Sequence, residues 1–374
     1  MSADSAADLA GPVPGESGRR SPAGRTSEAT HGIRLALNAR LVRPTWAGIV
    51  SVLPLPFMVV GTADFLVRGI IFGGGYAADA HTYYRGAAAW LAGRDPWQAI
   101  YQVGGATYHF AALPWALPFI APITLLPESI AVTTMVLLAA VAAAVILRCL
   151  GLPVRWFIFP PLVHGILNGN PIVMCVAMIL VNWPVAVLIR PQLIWALIGE
   201  RRWRTILAGG AIAAVLVAFV PIGTFLGDLK SVTGNYQDES AGGSSGGTAL
   251  ALVTGIVAVL VIAIRNQRTA GWLATIAAWP LNSWYGGIAA LPVLTPLLAI
   301  GLSLLVVGLP VWTIVLFAVA QVVVQRVPVS RAFLEPLVRP YRPAPGDGRR
   351  KLSLPDVAVG AWVPQVALLV DAKA

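Results

Sequence analysis

Charge is missing from this chain over stretches far longer than a soluble fold permits. No Asp, Glu, Lys or Arg occurs in Pro44–Ala63, Pro96–Pro127, Ser129–Leu147, Trp156–Ile189, Thr205–Gly227, Ser240–Ile264 or Thr269–Gln325. A helix needs about 20 mainly apolar residues to cross about 30 Å of hydrocarbon. Backbone amides in lipid must be satisfied within the chain, so such spans are helices unless they close into a barrel. The Val- and Ala-rich runs lack the period-2 alternation of barrel strands. Pro and Gly break several runs, so the pattern predicts roughly eight to eleven spans of about 20 residues each. Composition agrees, at 57% hydrophobic and 11% charged, against about 25% charged for soluble domains. A cytosolic enzyme, a disulfide-stapled secreted domain and a disordered regulator are excluded. The expected class is an all-α, polytopic membrane protein.

The formal net charge of +10 does not indicate nucleic acid, because basic residues cluster at the ends of apolar runs. Arg34, Arg40 and Arg43 precede the first run, Arg201, Arg202 and Arg204 separate two others, and Arg265 and Arg268 flank another. This is the positive-inside pattern of a multi-pass plasma-membrane protein. It divides the chain into a disordered cytoplasmic tail over 1–43, a transmembrane domain over 44–325 and a basic tail over 326–374. Within the domain, 72–109 is expected as a first external loop and 228–247 as a second. The weakly amphipathic stretch 352–370 is expected at the membrane interface. Cys149 and Cys175 have neither disulfide nor metal spacing.

The first external loop concentrates the polar chemistry of the front half. A helix starting near Ala80 places Tyr83, Ala87, Trp90 and Leu91 on one face, and Gly93 with Asp95-Pro96 ends it. Asp79 stands at its start and has two readings. It is a helix N-cap, or a general base held beside the point where a lipid-borne substrate arrives. Elsewhere, Asp64 and Arg68 are spaced to pair along the first span, and His164 in its apolar run is expected to pack or bond a neighbour. There is no Asp-x-Asp pair, Walker loop, Gly-x-Ser-x-Gly elbow or His/Cys cluster. No metal or other cofactor is expected.

Taken in order, Asp79-Ala-His81-Thr-Tyr83-Tyr84, Gly93-Arg94-Asp95-Pro96-Trp97, Tyr108-His109-Phe-Ala-Ala-Leu-Pro114 and Leu126-Pro127 resemble the first external loop of a known family. That family is glycosyltransferase family 87, the polyprenol-phosphate-mannose-dependent mannosyltransferases of GT-C membrane fold. Asn168-Gly169-Asn170 is similar to its Gly-Gln-x-Asn region, with Asn in place of Gln. Arg190-Pro191-Gln192 is similar to its Lys-Pro segment, with Arg in place of Lys. Pro280-Leu-Asn-Ser283-Trp284-Tyr285 is similar to its Ser-Pro-x-Ser-Trp-x-His motif. The resemblance spans roughly 46–310 and implies a GT-C-like bundle with an amphipathic external-loop helix. It implies an inverting transfer of a sugar, mannose by family habit, from a polyprenyl-phosphate donor to a lipid or glycan acceptor at the external face.

On that resemblance Asp79 is the general base, and Arg85, Arg94 and His81 are the candidates for the donor phosphate, since Arg meets phosphate bidentately. Tyr83, Tyr84, Tyr108, His109, Asn168, Asn170, Arg190, Ser283, Trp284 and Tyr285 are the expected substrate contacts. Partners are the donor, the acceptor and membrane lipid. Two other classes fit the same broken, charge-poor helices: a transporter or lipid flippase, and a non-catalytic membrane scaffold.

Overall fold

A computed structural model of the chain describes residues 45–72, 77–98, 100–103, 106–110, 112–228, 249–277, 284–304 and 309–341. The tail expected over 1–43, the second loop beyond Asp228 and the segment 352–370 lie outside the described residues. The described elements from Trp46 onward belong to one unit, and it is predominantly helical, as the uncharged runs require. The exception is a two-stranded hairpin, β1 (Ile100–Val103) against β2 (Ala106–His109), in antiparallel register with Tyr101 opposite Tyr108.

The first apolar run forms α1 (Trp46–Val52) and α2 (Pro54–Phe72). The helix expected in the first external loop follows as α3 (Ala78–Leu91), and then α4 (Glu128–Leu150). Next come α5 (Pro160–Leu167), α6 (Pro171–Leu180), α7 (Ile194–Gly199) and α8 (Trp203–Leu216). The back half holds α9 (Ala249–Ala263), α10 (Gln267–Ala277), α11 (Pro296–Ser303), α12 (Leu309–Arg326) and α13 (Pro328–Val338). Among the described residues, three helices are long and apolar enough to cross a membrane: Trp46–Arg68, α4 and α12. A fourth span is possible if α5 and α6, bent by 116° at their break, count as one. Shorter apolar helices make up much of the rest. The roughly eight to eleven spans expected from about 20-residue runs therefore become fewer full-length helices and more short ones among the described residues. Proline is the reason: Pro160, Pro171, Pro191, Pro296 and Pro328 each occupy a first helical position, where a missing N–H costs nothing, and so begin new helices instead of continuing old ones.

Large apolar side chains stand exposed along the long helices, among them Val59, Val60, Leu137, Val141, Leu316 and Val319. Water does not tolerate apolar patches of that extent, whereas lipid tails do. The Asp64–Arg68 pair expected on the first span forms at 2.9 Å, and His164 packs on Phe65 with ring centroids 4.3 Å apart.

In lipid the helices lack a hydrophobic force to draw them together, so close packing carries association. The α7–α10 contact shows this. A Cβ on Gly199 would lie 2.5 Å from the Gln267 carbonyl oxygen, and one on Gly271 would lie 2.5 Å from that of Trp195. Beside this contact Glu200, with its side chain 8% exposed, receives Arg202 at 2.7 Å, Arg268 at 3.0 Å and the Trp272 indole at 2.8 Å. One arginine from each of the two basic groups expected to flank the apolar runs, Arg202 and Arg268, thus meets the same buried carboxylate. Part of the basic tail is ordered as well. In α13 the Phe333 ring stacks on Trp46 at 4.8 Å, and its carbonyl accepts from the Trp46 indole at 2.9 Å.

Adding a methyl at the α7–α10 contact overpacks backbone against backbone, which costs about 1–3 kcal/mol. Gly271→Ala should therefore lower the thermal midpoint in detergent measurably. Gly210→Ala, where a Cβ meets nothing within 4 Å, should leave the midpoint unchanged or raise it.

Candidate functional site

The site is built on the start of α3. Its N-cap is Ala77, in the left-handed region at φ 57°, and no side chain caps it. The capping role considered for Asp79 is therefore not the one it takes. The orphan N–H groups of a helix start need acceptors, and another segment supplies them. The Ala77 N–H donates to the Leu167 carbonyl at 3.1 Å, and the Ala80 N–H to that of Asn168 at 3.0 Å. The acceptors are the last residue of α5 and the first residue of its break with α6. With the helix start satisfied by foreign backbone, the Asp79 side chain is released for another partner.

That partner is Asn170. Its Nδ2 donates to Asp79 Oδ2 at 2.8 Å, while its Oδ1 accepts from the Ile172 N–H at 2.8 Å and from an Arg190 guanidinium nitrogen at 3.0 Å. Asn170 is wholly buried and is the N-cap of α6. The Arg190 guanidinium carbon lies 5.6 Å from the centroid of the Tyr83 ring, within the reach of a cation–π contact. Tyr83 is buried and meets Phe110 edge-on at 5.7 Å. Two glycine requirements coincide at the break. Gly169 has φ 61°, and a Cβ there would stand 2.8 Å from the Ala80 Cβ. Only glycine lets α3 approach this closely with that backbone conformation.

Burial pushes the Asp79 carboxyl above its ordinary value, and the Asn170 hydrogen bond and the Arg190 charge pull it back only in part. Burial likewise pushes the Tyr83 hydroxyl up to about 12, against the pull of Arg190, so it stays protonated at neutral pH. The arrangement is a half-buried carboxylate with one oxygen held, a guanidinium joined to it through an amide, and an aromatic wall. Among the described residues Asp79 Oδ1 takes no hydrogen bond. A carboxylate so placed can accept a proton, and the guanidinium can meet an anion.

Of the expected substrate contacts, Tyr83, Asn170 and Arg190 converge on Asp79, and Asn168 contributes through its backbone carbonyl. The expected phosphate group does not converge. His81 Nδ1 and Arg85 Nε both lie 2.7 Å from Glu128 Oε1, and Arg85 also donates to the Gln102 carbonyl at 2.7 Å. Both side chains are directed at a carboxylate on α4, on a different face of α3 from Asp79. Arg94 is exposed beyond the far end of α3; from Asp79 to Leu91 alone the axis runs roughly 18 Å at about 1.5 Å per residue. Tyr84 donates to the Leu126 carbonyl at 3.1 Å, beside Glu128 and not Asp79. Tyr108 and His109 lie on β2. Trp284 and Tyr285 open a 3-10 helix, Trp284–Val293, that packs on α5 and α6. Ser283 lies outside the described residues.

The α3 face also differs slightly from expectation. Ala80, Tyr83 and Ala87 are buried, Trp90 is half-buried and Leu91 is exposed, because the packed stripe turns away before the last residue. Sequence reasoning passed over Glu128, although its signal was present: it alone separates the uncharged runs Pro96–Pro127 and Ser129–Leu147. Among the described residues no group of His, Cys, Asp and Glu is arranged to hold a metal ion. No family model, curated protein or solved structure matches the chain.

Gly169→Ala should unseat α3 from the break, since the left-handed conformation alone costs about 1–2 kcal/mol for an L-residue and the new methyl meets Ala80. The thermal midpoint in detergent should fall clearly. Asn168→Ala, which keeps the carbonyl that Ala80 uses, should change it much less.

Proposed function

We propose that the protein is a multi-pass membrane glycosyltransferase of GT-C-like architecture. It transfers a sugar, mannose on the family resemblance, from a polyprenyl phosphate to a lipid or glycan acceptor at the external face. The observation that supports this most is the Asp79–Asn170–Arg190 chain of hydrogen bonds. It sets a base and a phosphate-binding cation side by side at the end of a helix otherwise flanked by apolar spans.

The chemistry asked of these residues is limited. Asp79 Oδ1 takes the proton of the acceptor hydroxyl as that oxygen attacks the anomeric carbon. The bond from that carbon to the phosphate oxygen breaks, and the polyprenyl phosphate leaves with the electron pair. Attack opposite the leaving group inverts the anomeric centre. Charge growing on the leaving oxygen needs a fixed donor, and such preorganised donors are a large part of catalytic power. Arg190 takes this role in place of Arg85 and Arg94, which the geometry sets apart from Asp79. Tyr83 holds the guanidinium plane and offers an apolar wall to a sugar face.

A transporter reading draws on one specific observation, the 116° bend between α5 and α6, since broken helices line substrate paths. The two readings part on a single assay. Membranes holding the full chain are given radiolabelled polyprenyl-phosphate mannose and a lipid extract as acceptor. The wild type should transfer label, and Asp79→Asn should lower the rate about 10²–10⁴-fold, the usual contribution of a general base. Label moved across the membrane with no new product would favour transport. The rate should also fall on the acid side at a pH above the ordinary aspartate range of about 3.9. A base must be ionised, and burial raises the Asp79 carboxyl, so protonation removes activity as pH falls through that raised value.

A further inference from the structure

The resemblance pairs Asn170 with substrate, yet its side chain has little capacity left for one. An amide offers two donors on nitrogen and two acceptor sites on oxygen. Both acceptor sites of Oδ1 are occupied, by the Ile172 N–H and by Arg190. Each of these partners only donates, so the atom facing them must be the oxygen. That fixes which end of the amide faces Asp79 without reliance on an assigned flip. The nitrogen end points at Asp79 Oδ2, 2.8 Å away. The residue is wholly buried, so water does not compete for these bonds.

We infer that Asn170 is a positioning residue: its locked amide orients the Asp79 carboxylate, leaving Oδ1 for the incoming hydroxyl, and joins that carboxylate to Arg190. The catalytic part of this statement rests on Asp79 acting as the base; the orienting part is independent of it. Three consequences follow from the bonding. The donor facing Oδ2 favours the charged carboxylate, because a hydrogen bond to the ionised form stabilises it. The lone pairs of Oδ1 are set in direction by the grip on Oδ2. A phosphate drawn to Arg190 acts on the same amide that holds the base, so donor binding and base geometry are linked through one side chain.

The test uses full-length protein in nanodiscs and two substitutions. Asn170→Ser keeps a side-chain oxygen able to cap α6 but is too short to reach Asp79. Asn170→Asp keeps the cap and the Arg190 contact while replacing the donor with a second carboxylate. Proton uptake by Asp79 is read as the infrared carboxyl band that Asp79→Asn abolishes, titrated against pH without any substrate. In Asn170→Ser the midpoint should rise by about one unit, a tenfold gain in proton affinity. Asn170→Asp should raise it further, because two adjacent carboxylates share a proton. Midpoints equal to wild type in both variants overturn the inference.

With polyprenyl-phosphate mannose as probe, Asn170→Ser should lower kcat while leaving the donor KM within about twofold, as expected when only transition-state contacts are lost. A rise in KM with kcat unchanged would instead make Asn170 a substrate contact and overturn the positioning role. Undiminished transfer by Asp79→Asn would remove the base reading alone, and the infrared titration would still decide whether Asn170 orients the carboxylate.

Discussion

The constraint on which the candidate site depends is the satisfaction of backbone at a helix end. Two N–H groups at the start of α3 donate to carbonyls at the break between α5 and α6. Each side answers the other's deficit, since helix ends leave both donors and acceptors unmet. Gly169 permits the approach, Asn170 caps the outgoing helix, and Asp79 is carried to Asn170 as a result. Asp79, Tyr83 and Asn170 meet because this docking is made, and Arg190 is drawn to them by the same amide.

Around that contact the protein uses charge sparingly and in closed groups. Glu128 gathers His81 and Arg85 onto one oxygen and so ties α3 to the first turn of α4. Glu200 gathers Arg202, Arg268 and Trp272 at the end of α7. A carboxylate taken from water loses several kcal/mol of hydration unless its neighbours compensate. Each of these groups has an assembled set of donors. Asp79 has a smaller set, a single amide donor on Oδ2 and a guanidinium reached through that amide.

Much of the fold was legible in the sequence because its cause is local. Uncharged runs specify helices in lipid, Asp64 and Arg68 meet through helical spacing, and Gly93 at φ 68° ends α3 where a glycine was read as a stop. The Asp95-Pro96 turn is likewise closed by the Trp97 N–H on Asp95. Span number was less legible, because a proline inside an apolar run ends one helix and starts another without altering the composition that signals lipid. In the site, Asp79, Tyr83, Asn170 and Arg190 could each be picked out by residue type and motif order. Their mutual geometry could not, since Asn170 and Arg190 lie far along the chain from Asp79. That Arg85 and His81 stand apart from Asp79 was hidden for a related reason. Their spacing from Asp79 is short in sequence, but a helix turns them to another face, where Glu128 waits.

The bend between α5 and α6 has an electrostatic consequence. A helix N-terminus carries a partial positive potential of about half an elementary charge. Asn170 opens α6, and Asp79 occupies the first turn of α3, so the carboxylate lies beside the starts of two helices that converge on it. Had α5 run straight into α6, the second of these ends would not exist. The break therefore supplies a field as well as a shape. A half-buried carboxylate is thus favoured by the orientation of peptide bonds as well as by the Arg190 charge.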